Sequence, residues 1–107
     1  MMRYRFLAIA RREYLEAVRW YRDDVQDIEL AQDFIASFRQ RLERIQRFPH
    51  SGALVIGFDV PFDIRRAKLK RFPFHIFFTV RETEVIIIAI THEKRRPGHW
   101  TDRIDDV

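Results

Sequence analysis

The sequence predicts a single α+β domain over residues 1–107 with the element order βααβββ: an antiparallel sheet with a helical hairpin packed on one face. Three observations predict it. Two consecutive stretches carry apolar side chains at helical spacing. Three later runs are rich in β-branched and aromatic residues. A chain of 107 residues can bury one self-supporting core but not two.

At the start, Tyr4 to Ile9 alternates Tyr4, Phe6 and Ala8 against Arg5 and Leu7, which reads as a strand. From about Arg12 to Val25 the period becomes helical, with Tyr14, Ala17, Val18, Tyr21 and Val25 on one face. The acidic cluster Asp23, Asp24 and Asp27 ends that helix, and Asp27 is placed to cap the next one. Ile28 to Phe48 then carries the stripe Ala31, Phe34, Ile35, Phe38, Leu42 and Ile45, until Pro49 and Gly52 stop it. Two amphipathic helices joined by a few residues form a hairpin that needs a further layer to cover its apolar face.

The runs Ile64–Leu69, Phe74–Val80 and Val85–Thr91 supply that layer. Pro73 falls at the start of the second run, a position a sheet tolerates. Val85 to Ile90 is apolar on both faces, as a central strand covered on both sides requires. Pro97 to Ile104 reads as one final helical turn.

A composition of 47% hydrophobic and 34% charged residues excludes a disordered chain. With no cysteine, a disulfide scaffold, a thiolate nucleophile and a Cys-ligated zinc site are excluded as well. No apolar run approaches a membrane span, and Phe6–Ala10 is too short for a secretory signal, so a cytoplasmic location is expected. The net charge of +4 is unevenly spread. Residues 1–61 hold ten Lys/Arg against nine Asp/Glu, and residues 62–103 hold ten against five. The basic half fits an anionic partner, or else a solubilising surface.

Arg66, Lys68 and Lys70 are two residues apart, which places them on one face of a strand, with Arg65, Ala67 and Leu69 on the other. The cationic row reads either as a seat for phosphates or carboxylates, or as an edge strand guarded against aggregation. The string from Thr91 to Arg103 begins where the most apolar strand ends. There His92 can act as acid or base, and Arg95, Arg96 and Arg103 can stabilise a phosphate. The structural alternative has His92 merely hydrogen-bonded, Trp100 capping the core and Arg103 paired with an acidic helix turn. His92, Glu93 and His99 lack metal-ligand spacing, so no metal site is expected. His75 reads as a packed strand residue, and Tyr14 and Tyr21 as core.

The segments EYLEAVRWY, LAQDFIASF, LERIQRFP, IRRAKLKRFPFHIFF and ITHEKRRPGHWTDR together span almost the whole chain. In this combination the chain resembles the RelE/ParE superfamily of type II toxin–antitoxin toxins. The resemblance implies a small basic toxin neutralised by a co-encoded antitoxin, without metal or other cofactor and without a membrane partner. Two activities divide the superfamily. ParE-like members poison DNA gyrase, whereas RelE-like members cleave mRNA on the ribosome. The terminal pattern His92, Arg95, Pro97, Trp100, Arg103 and the lack of any Tyr after Tyr21 point to the ParE-like branch. A nuclease would call on His92, Arg65 and Arg95. A binding toxin would use Arg66, Lys68, Lys70, Arg71, Arg96, Trp100 and Arg103. A degenerate member that only binds its antitoxin is the third alternative.

Overall fold

The computed structural model describes residues 1–107. Its elements are β1 (Arg3–Phe6), α1 (Ala8–Arg19) continued by a π-helical turn (Trp20–Asp24), α2 (Ile28–Arg47), β2 (Ala53–Leu54), β3 (Arg65–Lys68), β4 (Phe74–Arg81), β5 (Glu84–His92) and a C-terminal 3₁₀ helix (Thr101–Asp106). The expected order and layers are present, with differences at particular junctions.

The first strand is shorter, and the first helix earlier, than the periodicity predicts. Leu7 is the junction. Its N–H makes the last ladder bond, to the Ile87 carbonyl at 2.9 Å, and its own carbonyl accepts the Arg11 N–H at 3.0 Å. Leu7, Ala10 and Ala17 are buried, so the helical stripe extends back through the residues read as a strand. A run that short fits either period. At the far end of the hairpin, Asp27 does cap α2: its Oδ1 accepts the Leu30 N–H at 2.9 Å. The α2 stripe is buried at Ala31, Phe34, Phe38, Leu42 and Ile45, and half-buried at Ile35.

The strands form one five-stranded sheet in the order β1-β5-β4-β3-β2. Neighbours from β2 to β5 are antiparallel, but β1 lies parallel to β5, Tyr4 opposite Val85 and Phe6 opposite Ile87, so the sheet is mixed. No hairpin turn joins these two strands, since the whole helical pair lies on the connection from β1; nothing local imposes antiparallel pairing. The two-residue β2 was not expected, because two residues show no period. A bulge interrupts β4–β5: Phe77 pairs with Ala89 and Phe78 with Ile87, leaving Ile88 unpaired.

Both faces of β5 are covered, as its apolar run requires. On one side Phe34 and Phe38 of α2 meet Tyr14 of α1 and Phe74 of β4, with ring centroids 4.5 Å apart for Tyr14–Phe38 and 5.3 Å for Phe34–Phe74. On the other side the C-terminal segment lays Trp100 over Phe77, 5.5 Å between centroids, and Phe58 abuts Trp100 at 5.3 Å. Each large apolar side chain so buried contributes about 1.5–3 kcal/mol. No helix is long and apolar enough to cross a membrane.

Candidate functional site

Strand register brings the polar groups of the open sheet face together. Arg66 lies opposite Phe77 and Lys68 opposite His75, while His75 lies opposite Thr91. Past β5 the chain turns back over this face through Gly98, whose φ of 78° suits a residue without a Cβ. A Cβ there would also run into the Phe58 ring. The result is a cleft of about 130 Å³ whose walls include Arg66, His75, Thr91, Glu93, His99 and Trp100.

Two histidines in this cleft have lowered pKa values. His99 Nδ1–H donates to the Arg96 carbonyl at 3.2 Å, and its Nε2 accepts from the Thr91 hydroxyl at 3.1 Å. Burial, reinforced by the Arg95 charge, keeps its pKa below the ordinary histidine value. Burial also lowers the pKa of His75, with Arg66 and Lys68 adding to the effect. His75 Nδ1 is buried without a hydrogen-bond partner.

The three residues considered for cleavage do not converge. His92 packs its ring edge-on against Phe74 at 5.3 Å, and its Nδ1 accepts the Lys94 N–H at 3.1 Å. Arg95 sits 3.3 Å from Glu13 Oε2. Both border the cleft, but Arg65 does not. Its guanidinium donates to the carbonyls of Gly52 at 2.9 Å and His50 at 3.3 Å, and it lines a separate hollow with Asp63 and Thr79.

The expected row of three cations is a row of two. Arg66 and Lys68 share the open face, Lys68 Nζ lying 3.5 Å from Glu93 Oε2. The strand ends at Lys68, so Lys70 leaves the row. Its carbonyl accepts from Ser37 Oγ of α2 at 2.7 Å, and it lines a hollow with Arg41 and Arg44. Arg71, at φ 73°, pairs with Asp33 at 3.2 Å and lies over the Phe72 ring. Arg96 is exposed. Trp100 and Arg103 retain only 1% and 4% of their exposure. Both hold the C-terminal segment in place; Trp100 still contributes to the cleft wall, whereas Arg103 is turned inward to Glu13.

The partner of Arg103 escaped sequence reasoning. Its guanidinium grips Glu13 of α1 at 2.7 Å and 2.9 Å, and also donates to the Ile88 carbonyl at 3.1 Å. Glu13 in turn accepts the Ile90 N–H at 3.1 Å. Beyond Phe6 the strand β1 has ended, so this edge of β5 has no neighbouring strand; the ion pair satisfies the backbone groups a strand would otherwise satisfy. One signal was present: Glu13 falls between Ala10 and Ala17 on the buried face of α1, where a carboxylate needs a partner.

A family model described as ParE toxin of type II toxin-antitoxin system, parDE, matches residues 4–97. Among solved structures, one described as a chromosomal ParDE TA system from P. aeruginosa is similar over 86% of this chain and 96% of that chain, with a TM-score of 0.66 and 23% identity. That likeness is one of fold. No curated protein matches the sequence.

Proposed function

Because the chain belongs to the ParE toxin family of type II toxin–antitoxin systems, we propose that it arrests growth by binding DNA gyrase and trapping it on cleaved DNA, and that a co-encoded antitoxin neutralises it. The family match over residues 4–97 carries this reading.

The geometry supports action by binding. Cleavage of RNA without a metal needs a base, an acid and a cation within hydrogen-bond reach of one phosphate. Arg65 spends its guanidinium on two backbone carbonyls away from the cleft. His92 accepts a backbone N–H and stacks on Phe74. The neighbouring histidine, His99, is committed on both ring nitrogens. The cleft therefore offers a shaped, cationic surface with its aromatic wall rather than a proton-transfer relay. Arg66 within it, with Lys68 beside it on the same sheet face, would meet carboxylates of the antitoxin, an attraction that speeds and orients association.

The test is a paired assay with the purified chain. In a gyrase supercoiling assay it should inhibit the enzyme and accumulate cleaved DNA, and prior mixing with its antitoxin should abolish both effects. A reconstituted translation reaction should leave its mRNA intact. Cleavage of mRNA with gyrase unaffected would replace this reading with the ribosomal one, and inertness in both would leave only antitoxin binding.

A further inference from the structure

We propose that the trough between the C-terminal half of α2 and the end of β3 binds the phosphate backbone of duplex DNA. Ser37, Arg41 and Arg44 stand at i, i+4 and i+7 of α2 and so share one face. The Ser37 hydroxyl fixes the Lys70 carbonyl against that face at 2.7 Å. Together with Gln40 these residues line a hollow of about 170 Å³ that contains no apolar side chain. An adjoining hollow of about 230 Å³ shares Arg41 and Arg44 and reaches β3 beside Ala67, while the Arg66 and Lys68 side chains face the open side of the sheet. No carboxylate lines either one.

The cations that line this trough and those at its margins differ in pairing. Arg47 and Arg71, at its margins, are neutralised by Glu43 and Asp33. Arg41, Arg44 and Lys70 have no carboxylate within 4.0 Å. Like charges three residues apart on a helix repel. Three unneutralised cations concentrated in one trough create a field that attracts an anion.

The lining decides which anion. A protein partner needs apolar anchors at the centre of its interface. The first hollow has none, and the second offers only Ala53, Ala67 and the buried Ile45. A nucleic-acid backbone needs only charges and hydrogen-bond donors, which the arginines, Lys70 and Gln40 supply. The choice of DNA over RNA rests on the gyrase reading, since gyrase would bring duplex DNA beside the chain; the phosphate chemistry does not depend on it.

Fluorescence anisotropy of a short labelled duplex of random sequence, titrated with the purified chain over a range of salt, tests this. Three phosphate contacts predict a slope of log K against log salt of roughly −3. The double variant Arg41→Gln, Lys70→Gln should bind more weakly and flatten that slope by about 2, while Arg5→Gln, which removes a cation already paired with Glu84, should leave it unchanged. Thermal melts establish that each variant is folded. Absence of binding at low salt, or a slope indifferent to the double substitution, overturns the proposal. Displacement of the duplex by polyglutamate at equal charge concentration would assign the trough to an acidic protein segment instead. An RNA duplex bound at least as tightly would overturn the choice of DNA. A chain that poisons gyrase but binds no DNA refutes the trough alone, and one that binds DNA through these residues yet leaves gyrase untouched refutes the gyrase reading alone.

Discussion

Arg103 and Arg41 are the same residue type in opposite circumstances. Arg103 is buried, bonded through both terminal nitrogens to Glu13, and joined to the backbone of the central strand. Arg41 stands at the surface among other cations without a carboxylate in reach. The first completes the fold. The second strains it slightly and leaves a field open to solvent. In a chain with 20 Lys and Arg against 16 Asp and Glu, the count of cations says little; which cations are already answered for says where a partner can dock.

The sharpest way to break this contrast is to remove the buried pair. Arg103→Ala should destabilise the protein by about 3–5 kcal/mol, because it leaves Glu13 charged and without its bidentate partner in the interior. Buried ion pairs can often be replaced by apolar residues without loss. Here that should fail: the double variant Glu13→Leu, Arg103→Leu abandons the Ile88 carbonyl and the Ile90 N–H as well, each at about 1–3 kcal/mol. Urea denaturation of both variants measures this. A double variant as stable as the parent would mean that the edge of β5 needs no side chains to close it.

Two partly buried histidines make stability depend on pH. His75 and His99 have folded pKa values below the ordinary 6.5, chiefly through burial. The unfolded chain therefore binds more protons just below pH 6.5, and stability falls as pH drops from 6.5 towards the folded values. The contribution is complete above pH 6.5. Urea midpoints at pH 5.5 and 7.5 should differ in that direction. His75→Gln and His99→Gln should each narrow the difference, and a midpoint unaffected by either would show that these rings are as solvated folded as unfolded.

How much of this was legible in the sequence follows range. Asp27 caps the helix that begins at the next residue, and the α2 stripe repeats every turn, so both could be read locally. Arg66 and Lys68 follow the strand period for as long as the strand lasts. Lys70 was misplaced because the strand stops after Lys68 and the chain turns towards Ser37, 33 residues earlier. The parallel entry of β1 and the Ile88 bulge depend on how distant segments meet. Glu13 and Arg103 are 90 residues apart, and no spacing rule joins them. The unpaired state of Arg41 is likewise nonlocal, since it reflects which carboxylates the fold keeps away.

Between the two extremes stands a cation that is exposed and paired. Arg71 and Asp33 form a surface bridge at 3.2 Å, with both side chains at least half exposed. Asp33→Asn should lower stability by only about 0.2–1 kcal/mol, and by less as salt is added. A loss approaching that of Arg103→Ala would place the difference in local packing around Phe72 rather than in burial of charge.

The smallest effect carries the opposite sign. Arg41 and Arg44 are like charges at i, i+3 with Lys70 across the trough, and no carboxylate relieves them. Arg41→Gln keeps a side chain of high helix propensity and removes one repulsive centre. Stability should rise by about 0.2–0.5 kcal/mol at low ionic strength. The gain should fade as salt is raised past roughly 0.15 M, where charges more than about 8 Å apart no longer feel one another strongly. Thermal melts at two salt concentrations measure it. A substitution that stabilises the folded chain while weakening its hold on DNA would separate the two uses of positive charge in this molecule; one that destabilises it would mean that Arg41, like Arg103, is part of the framework.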